Sequence, residues 1–252
     1  FLPFAAVFAT MAIRIIPDRI VEERAIVRPR FLDYELIQVP AMALERTRME
    51  LGHMGELAEA MLAQLQSALK ARDLGELSQR HDQVVALREA VLAYLQQVGR
   101  AELSDDESDE HARLVAATGE IENMSAAISR ELLPLARALK EADIAPSPET
   151  AALLERLFQA IQASANQALR ALVMSDERAA QAVVASRDMI LELTSELHRQ
   201  QAARLARDDP DRLLKHRVQF EMVDKLRRIY SVAEHMAISV LPRSVLVGEL
   251  SG

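Results

Sequence analysis

Apolar residues recur every three or four positions along most of the chain, beginning at Ala41. In residues 41–72 the pattern is formed by Leu44, Leu51, Met54, Leu57, Met61, Leu62, Leu65 and Leu69. This spacing follows the 3.6-residue turn of an α-helix and places the side chains on one face. Each such stripe must be buried against other helices, so we predict a protein built from long amphipathic helices.

The composition agrees with helices and argues against sheets. Of the 252 residues, 50% are hydrophobic but only 4% are aromatic. Alanine, leucine, arginine and glutamate are the commonest residues, and these lose little side-chain freedom in a helix. Strands favour β-branched and aromatic runs, which are nearly absent here. The predicted fold class is therefore all-α.

Charge, cysteine content and motifs argue against several functions. The formal net charge is −8 and arginines are interleaved with glutamates, so no basic face for nucleic acid is indicated. The sequence has 0 cysteines, which excludes disulfides, thiolate metal sites and a cysteine nucleophile. It has no glycine-rich phosphate loop, G-x-S-x-G elbow or H-E-x-x-H motif. We predict that the protein is not an enzyme and has no catalytic, cofactor-binding or metal-binding residue and no cofactor.

Helix start and stop signals divide the pattern into two sets of three. The predicted helices cover residues 41–72, 74–98, 104–144, 148–174, 176–207 and 210–241. Ser104 precedes a run of acids, and Ser147 precedes Pro148, as is typical of helix N-termini. We predict tandem antiparallel three-helix bundles over residues 41–145 and 146–242, followed by a tail over residues 243–252.

The first 16 residues differ from the rest, because 13 uncharged residues precede Arg14. Such a run is too short to cross a bilayer, which takes about 20 apolar residues. Basic residues follow the run, which argues against a secretory signal and favours the cytoplasmic end of a transmembrane helix over residues 1–16. A buried N-terminal helix of a soluble domain is the alternative. Prolines break residues 17–40 into short pieces, so a juxtamembrane linker is predicted there.

Two features carry a family resemblance. The doubled set of three helices resembles PhoU. The junction before it resembles the one in bacterial Na⁺/phosphate cotransporters with a C-terminal PhoU-like domain, where the last membrane helix runs into a P-R-Y-L-D…P…A-L…E pattern. The corresponding residues here are Pro29, Arg30, Phe31, Leu32, Asp33, Pro40, Ala43, Leu44 and Glu50.

The resemblance implies a non-catalytic, regulatory or structural PhoU-like domain of a sodium-dependent inorganic phosphate transporter. It implies a place on the cytoplasmic side of the inner (plasma) membrane. The implied partners are the membrane, the chain's own transport domain upstream and, for a homodimer, a second copy. The alternative is a free PhoU-type regulator of phosphate uptake that acts by protein–protein contacts. A helical metalloenzyme would need Glu-x-x-His on two helices, and Glu50 with His53 provides one.

PhoU proteins often bind metal clusters through an acidic motif in the third helix of each repeat. The resemblance places Glu120 and Glu122 at such positions, but Ala126 replaces the last acid of the motif. In the second repeat Lys225 and Arg227 stand where acids are expected, and cations would repel a metal. Glu120 and Glu122 also point about 200° apart on a helix, so they cannot hold one ion together. We predict no metal site.

Other candidate residues have structural explanations. Glu131 is no better placed than the two motif acids to bind metal. The acidic run over residues 104–110 suits a helix start, and Met49, Met54 and Met61 have core spacing. No predicted helix has histidines at paired metal-ligand spacing, and the chain's histidines are His53, His81, His111, His198, His216 and His235.

Glycines inside predicted helices suggest a close crossing. A mid-helix glycine costs about 1 kcal/mol relative to alanine, so Gly119 needs a reason. We predict that Gly119 faces Gly52 and Gly55 at the tightest crossing in the bundle. On that prediction Gly119→Leu lowers the melting temperature by several degrees.

Overall fold

The computed structural model describes residues 27–71, 77–141, 146–205 and 213–242. These residues contain helices and no strand, which confirms the all-α prediction. After a 3₁₀ turn at Tyr34–Gln38, the elements are α1 (Pro40–Ala71), α2 (Leu77–Val98), α3 (Asp105–Ala126), a π-helical segment (Ala127–Leu132), α4 (Leu133–Glu141), α5 (Pro148–Met174), α6 (Glu177–Ala185), α7 (Arg187–Leu205) and α8 (Leu213–Val240).

The helix starts follow the predicted capping chemistry. The backbone N–H of Glu107 donates to Oγ of Ser104, and the Glu107 carboxylate accepts the backbone N–H of Ser104 at 2.9 Å. This reciprocal pair satisfies two amide groups that a helix start leaves free. The hydrogen bonds from Ser104 lower the pKa of Glu107, which keeps its charge at the positive end of the helix dipole. At the start of α5, Ser147 accepts the N–H of Thr150 behind Pro148.

The third predicted helix changes its hydrogen-bond pattern part-way along. Residues 127–132 form a π-helical turn, and the N–H of Leu133 donates to the carbonyl of Ile128, five residues back. Pro134 follows directly; it has no N–H, and its ring would clash with the carbonyl of Arg130 in a regular helix. The chain is thus helical without interruption over residues 105–141, as predicted, but with a π-helical turn before this proline.

The fifth predicted helix is divided into two. Ser186 ends α6, where its N–H donates to the carbonyl of Val183 at 3.1 Å and its Oγ donates to the same carbonyl at 2.7 Å. The Ser186 hydroxyl also lies 3.0 Å from Oγ of Ser164 in α5. A tertiary contact therefore fixes this break, and α7 begins at Arg187.

The helices pack as two sets around one continuous core. In the first set α1, α2 and α3 contact one another; in the second, α5 contacts α6, α7 and α8. The sets meet where α1 contacts α5 and where α3, the π-helical segment and α4 contact α8. Buried apolar side chains from all eight α-helices belong to the same core. The helical bundle prediction is confirmed.

The predicted close helix crossing is present at Gly52 and Gly55 but not at Gly119. A Cβ atom on Gly119 would meet nothing within 4 Å, so Gly119 makes no close crossing. Gly52 and Gly55 do lie at one, but their neighbours are Val173 and Leu169 of α5. The close approach thus joins the two sets rather than two helices of one set.

The predicted transmembrane end over residues 1–16 and the tail over residues 243–252 lie outside the described residues. Within the described residues, no helix has the length and hydropathy needed to span a bilayer. The linker predicted over 17–40 is described from residue 27 onward, and Pro40 is the first residue of α1.

Candidate functional site

The end of the linker is fastened to α1 by a buried carboxylate. Glu50 is 0% exposed, and its Oε2 accepts the backbone N–H groups of Arg30 at 2.8 Å and Phe31 at 2.7 Å. Its Oε1 lies 2.9 Å from Nδ1 of His53, which is also buried. A buried carboxylate is costly unless hydrogen bonds satisfy it, and these three contacts do so.

A tyrosine of α2 holds the next residues of the linker. The hydroxyl of Tyr94 donates to the backbone carbonyl of Asp33 at 2.7 Å, and the Tyr34 ring packs edge-on against the Tyr94 ring at 5.2 Å. Asp33 in turn accepts the N–H of Glu35 and caps the 3₁₀ turn. Burial is the main cause of the raised pKa of Tyr94, so its hydroxyl stays protonated and can donate. We call Glu50, His53, Tyr94 and the linker residues they hold the linker clamp.

The linker clamp gives a structural role to several residues of the junction pattern found in the sequence. The backbone N–H groups of Arg30 and Phe31 donate to the Glu50 carboxylate. Asp33 provides the carbonyl that accepts the Tyr94 hydroxyl, and its side chain caps the 3₁₀ turn. Sequence reasoning noted these residues but missed their contacts. The available signal was Glu50 itself, a charged residue on the apolar face of α1.

A second cluster lies between the two helix sets, at the π-helical segment. Glu131 pairs with Lys225 of α8 at 2.6 Å and with Arg228 of α8, also at 2.6 Å. One turn of α8 separates the two cations, and each approaches a different carboxylate oxygen. Protein cations therefore contact both oxygens of Glu131.

The structure does not bring the two motif acids together. Oε1 of Glu120 lies 3.9 Å from Nδ1 of His235 on α8. Glu122 instead interacts with α2, where its negative charge favours the protonated form of the buried His81 imidazole. Ala126 contributes no ligand, and Arg227 is exposed on α8. Among the described residues there is no group of three acids or histidines placed to bind a metal ion. The residues present therefore do not fit the metal cluster that the PhoU resemblance implies.

The histidines whose side chains the structure describes occupy separate environments. His81 is 5% exposed, with Nδ1 at 3.0 Å from Oγ of Ser125. Burial, followed by the charge of Arg130, lowers the pKa of His81, so the neutral ring is favoured. His111 contacts the Leu95 carbonyl at 2.9 Å. His198 stacks on Phe220; the side chain of His216 lies outside what the structure describes.

The acidic run and the methionines have mainly structural roles. Glu110 pairs with Arg48 of α1 at 2.6 Å and with Arg113, so the run also ties α3 to α1. Met54 and Met61 are fully buried, whereas Met49 is half-buried. These positions thus contribute to packing and to the start of α3.

Comparison with solved structures identifies the architecture. PhoU from Pseudomonas aeruginosa superposes with a TM-score of 0.72, over 78% of this chain and 94% of that one, at 19% identity. The chain has a PhoU-like fold. At this level of identity the likeness shows the fold alone.

Sequence comparison gives a distant relative and no family. No protein-family model matches the chain. A Salmonella typhimurium protein with the provisional name inorganic phosphate export protein YjbB is 28% identical over 170 residues, which is 64% of this chain. The chain spans 31% of the length of that curated relative.

Proposed function

We propose that the chain is the cytoplasmic PhoU-like domain of a sodium-dependent inorganic phosphate transporter at the inner membrane. It regulates or supports the transport domain by contact and catalyses no reaction. The PhoU-like fold supports a role in phosphate regulation, and so does the similarity to a protein named for phosphate export. The small share of that relative covered by the chain is consistent with a domain of a larger membrane protein.

The linker clamp is the observation that carries this proposal. Two amides at the end of the linker are bound by a fully buried carboxylate, and a tyrosine of another helix binds the carbonyl of Asp33. Such a connection is rigid, because moving the linker breaks several buried hydrogen bonds together. When an upstream segment moves, a rigid connection moves α1 with it. A regulatory domain attached to a transporter requires such a connection.

A free PhoU-type regulator is the second candidate. It is favoured by the coverage of the structural match, since 94% of the Pseudomonas aeruginosa chain is matched. Under this alternative the same helix faces bind a separate transporter, and the linker clamp stabilises only the N-terminal part of the fold.

The test is sodium-dependent phosphate flux through the full-length gene product, in bacterial cells whose own phosphate uptake systems have been deleted. We expect membrane localisation and radiolabelled phosphate flux that requires Na⁺ and fails when K⁺ replaces it. Glu50→Gln, which weakens the clamp, should change the flux or its response to external phosphate. Glu56→Gln is the matched control, because Glu56 is an exposed carboxylate on the same helix.

A soluble full-length product that carries no phosphate flux but binds a separate transporter would refute the transporter proposal and support the free regulator. A different outcome is sodium-dependent flux with the same rate and the same response to external phosphate in the Glu50→Gln and Glu56→Gln proteins. That result would keep the transporter assignment and reject the clamp as its regulatory connection.

A further inference from the structure

The surface between α3 and α8 has acidic side chains on one side and basic side chains on the other. Glu120 and Glu131 lie on the chain segment formed by α3 and the π-helical turn, whereas Lys225, Arg228 and His235 lie on α8. The contacts pair early residues of one segment with late residues of the other, so the helices run antiparallel across this surface. We call it the seam.

The chemistry of the seam is that of an ion pair, not of a metal site. One carboxylate and two cations give the Glu131 cluster a charge of −1 + 2 = +1. Ammonium and guanidinium groups have no lone pair to offer a metal, and a net positive cluster repels a divalent cation. Both oxygens of Glu131 already have charged partners at 2.6 Å.

We propose that the seam is a metal-free latch between the two helix sets. Lys225 and Arg228 contact the two oxygens of Glu131, so protein cations alone join the two helix sets at this point. The domain therefore assembles without the metal cluster that PhoU proteins often carry. The proposal concerns the seam alone and holds or fails independently of the transport function proposed above.

The position of the contacts suits a latch. Glu120 and Glu131 are 11 residues apart, which is roughly 16 Å along a helix at 1.5 Å per residue. Contacts at two positions along the helix axis resist both sliding and rotation of α8 against α3. The Glu131 carboxylate is only 23% exposed, so solvent screens this pair less than it screens pairs on the open surface.

The experiment measures metal content and thermal unfolding of the purified full chain. By elemental analysis we expect far less than one transition-metal ion per chain. EDTA should leave the unfolding midpoint unchanged, and added Zn²⁺ or Fe²⁺ should not raise it. A stoichiometric metal whose removal by EDTA lowers the midpoint would overturn the proposal.

The latch itself is tested with Glu131→Gln and the matched control Glu122→Gln, which alters a carboxylate of α3 that faces α2. At low salt and mildly alkaline pH, Glu131→Gln should lower the midpoint by about 2–4 °C because it leaves two cations unopposed. The control should change it by less than half as much. At about 1 M NaCl the difference between the variants should shrink, since salt screens ion pairs.

Equal midpoints for the two variants, or a difference that salt leaves unchanged, would overturn the latch. If Glu131→Gln does not fold, the metal content and the EDTA response of the unaltered chain still decide between a metal-free and a metal-dependent seam.

Discussion

Leu169 of α5 packs directly against Gly55 of α1, so that a Cβ atom on Gly55 would lie 2.9 Å from Cδ1 of Leu169. Real Cβ contacts are longer, so any side chain at position 55 must displace the leucine. Gly52 meets Val173 in the same way, one helical turn earlier. The absence of side chains at these two positions lets α1 and α5 approach closely and join the two helix sets into one core.

Gly55→Ala should therefore destabilise the protein although alanine favours helices. Crowding in a packed core costs about 1–3 kcal/mol, against a gain of about 1 kcal/mol in helix propensity. Gly119→Ala is the matched control, because open space surrounds its Cβ position and only the propensity gain remains. In urea unfolding, the free energy of unfolding of Gly119→Ala should exceed that of Gly55→Ala by about 1–3 kcal/mol. Equal stabilities would show that Leu169 moves aside without cost.

The linker clamp should protect the Arg30–Phe31 peptide bond from trypsin. Glu50→Ala removes the acceptor of both amides and leaves the donors without their buried partner. Hydrogen bonds to a charged group contribute about 1.5–3 kcal/mol, so local opening should increase at least about tenfold. The cleavage rate after Arg30, followed by mass spectrometry, measures this opening.

The control for this digestion is Glu56→Ala, which alters an exposed carboxylate of the same helix. Cleavage after Arg30 should be as slow in this variant as in the unaltered chain. Similar rates in the Glu50→Ala and Glu56→Ala proteins would mean that the clamp does not hold the linker.

The fold could be predicted because the helical period is repeated over long stretches. Leu51, Met54 and Met61 belong to a stripe that the sequence displays directly, and the structure buries all three. Caps such as Ser104 are also local, since donor and acceptor are three residues apart. Such features need no knowledge of the tertiary arrangement.

The π-helical turn and the break at Ser186 were missed for two different reasons. Pro134 was visible in the sequence, and its effect on the preceding turn follows from known proline chemistry. The break at Ser186 has no proline or glycine beside it. It depends on a contact with Ser164 of another helix, which no local pattern indicates.

The candidate site was harder to predict than the fold. Glu131 and Arg228 are 97 residues apart, and only the antiparallel register of α3 and α8 brings them together. The substitution of acids by cations at Lys225 and Arg227 was visible beforehand. The resemblance placed Arg227 at a motif position, whereas the side chain that contacts Glu131 beside Lys225 is that of Arg228.

Protonation of His81 should make stability depend on pH. Its folded-state pKa lies below the ordinary value of 6.5, so the unfolded chain binds a proton more readily than the folded one. Stability contributed by the neutral ring is complete above about pH 6.5 and falls as the pH drops below that value. His81→Leu should therefore flatten the pH dependence of the urea midpoint between about pH 7 and pH 5.

Gln97→Leu is the control for this titration, because Gln97 is an exposed residue of the same helix and does not titrate. It should leave the slope of the urea midpoint against pH close to that of the unaltered chain. A His81→Leu protein that keeps the full slope would mean that another group causes the pH dependence.

Tyr230 of α8 should stabilise the break between α6 and α7. Its hydroxyl donates to the Val183 carbonyl at 3.0 Å and lies 2.9 Å from Glu234, which also pairs with Arg187 at 2.7 Å. Burial raises its pKa to about 12, so the hydroxyl remains a donor well above neutral pH. Tyr230→Phe should cost about 1 kcal/mol and speed hydrogen exchange around Ser186. Ser239→Ala, which removes only a local bond to the Met236 carbonyl on the same helix, should leave exchange at Ser186 unchanged.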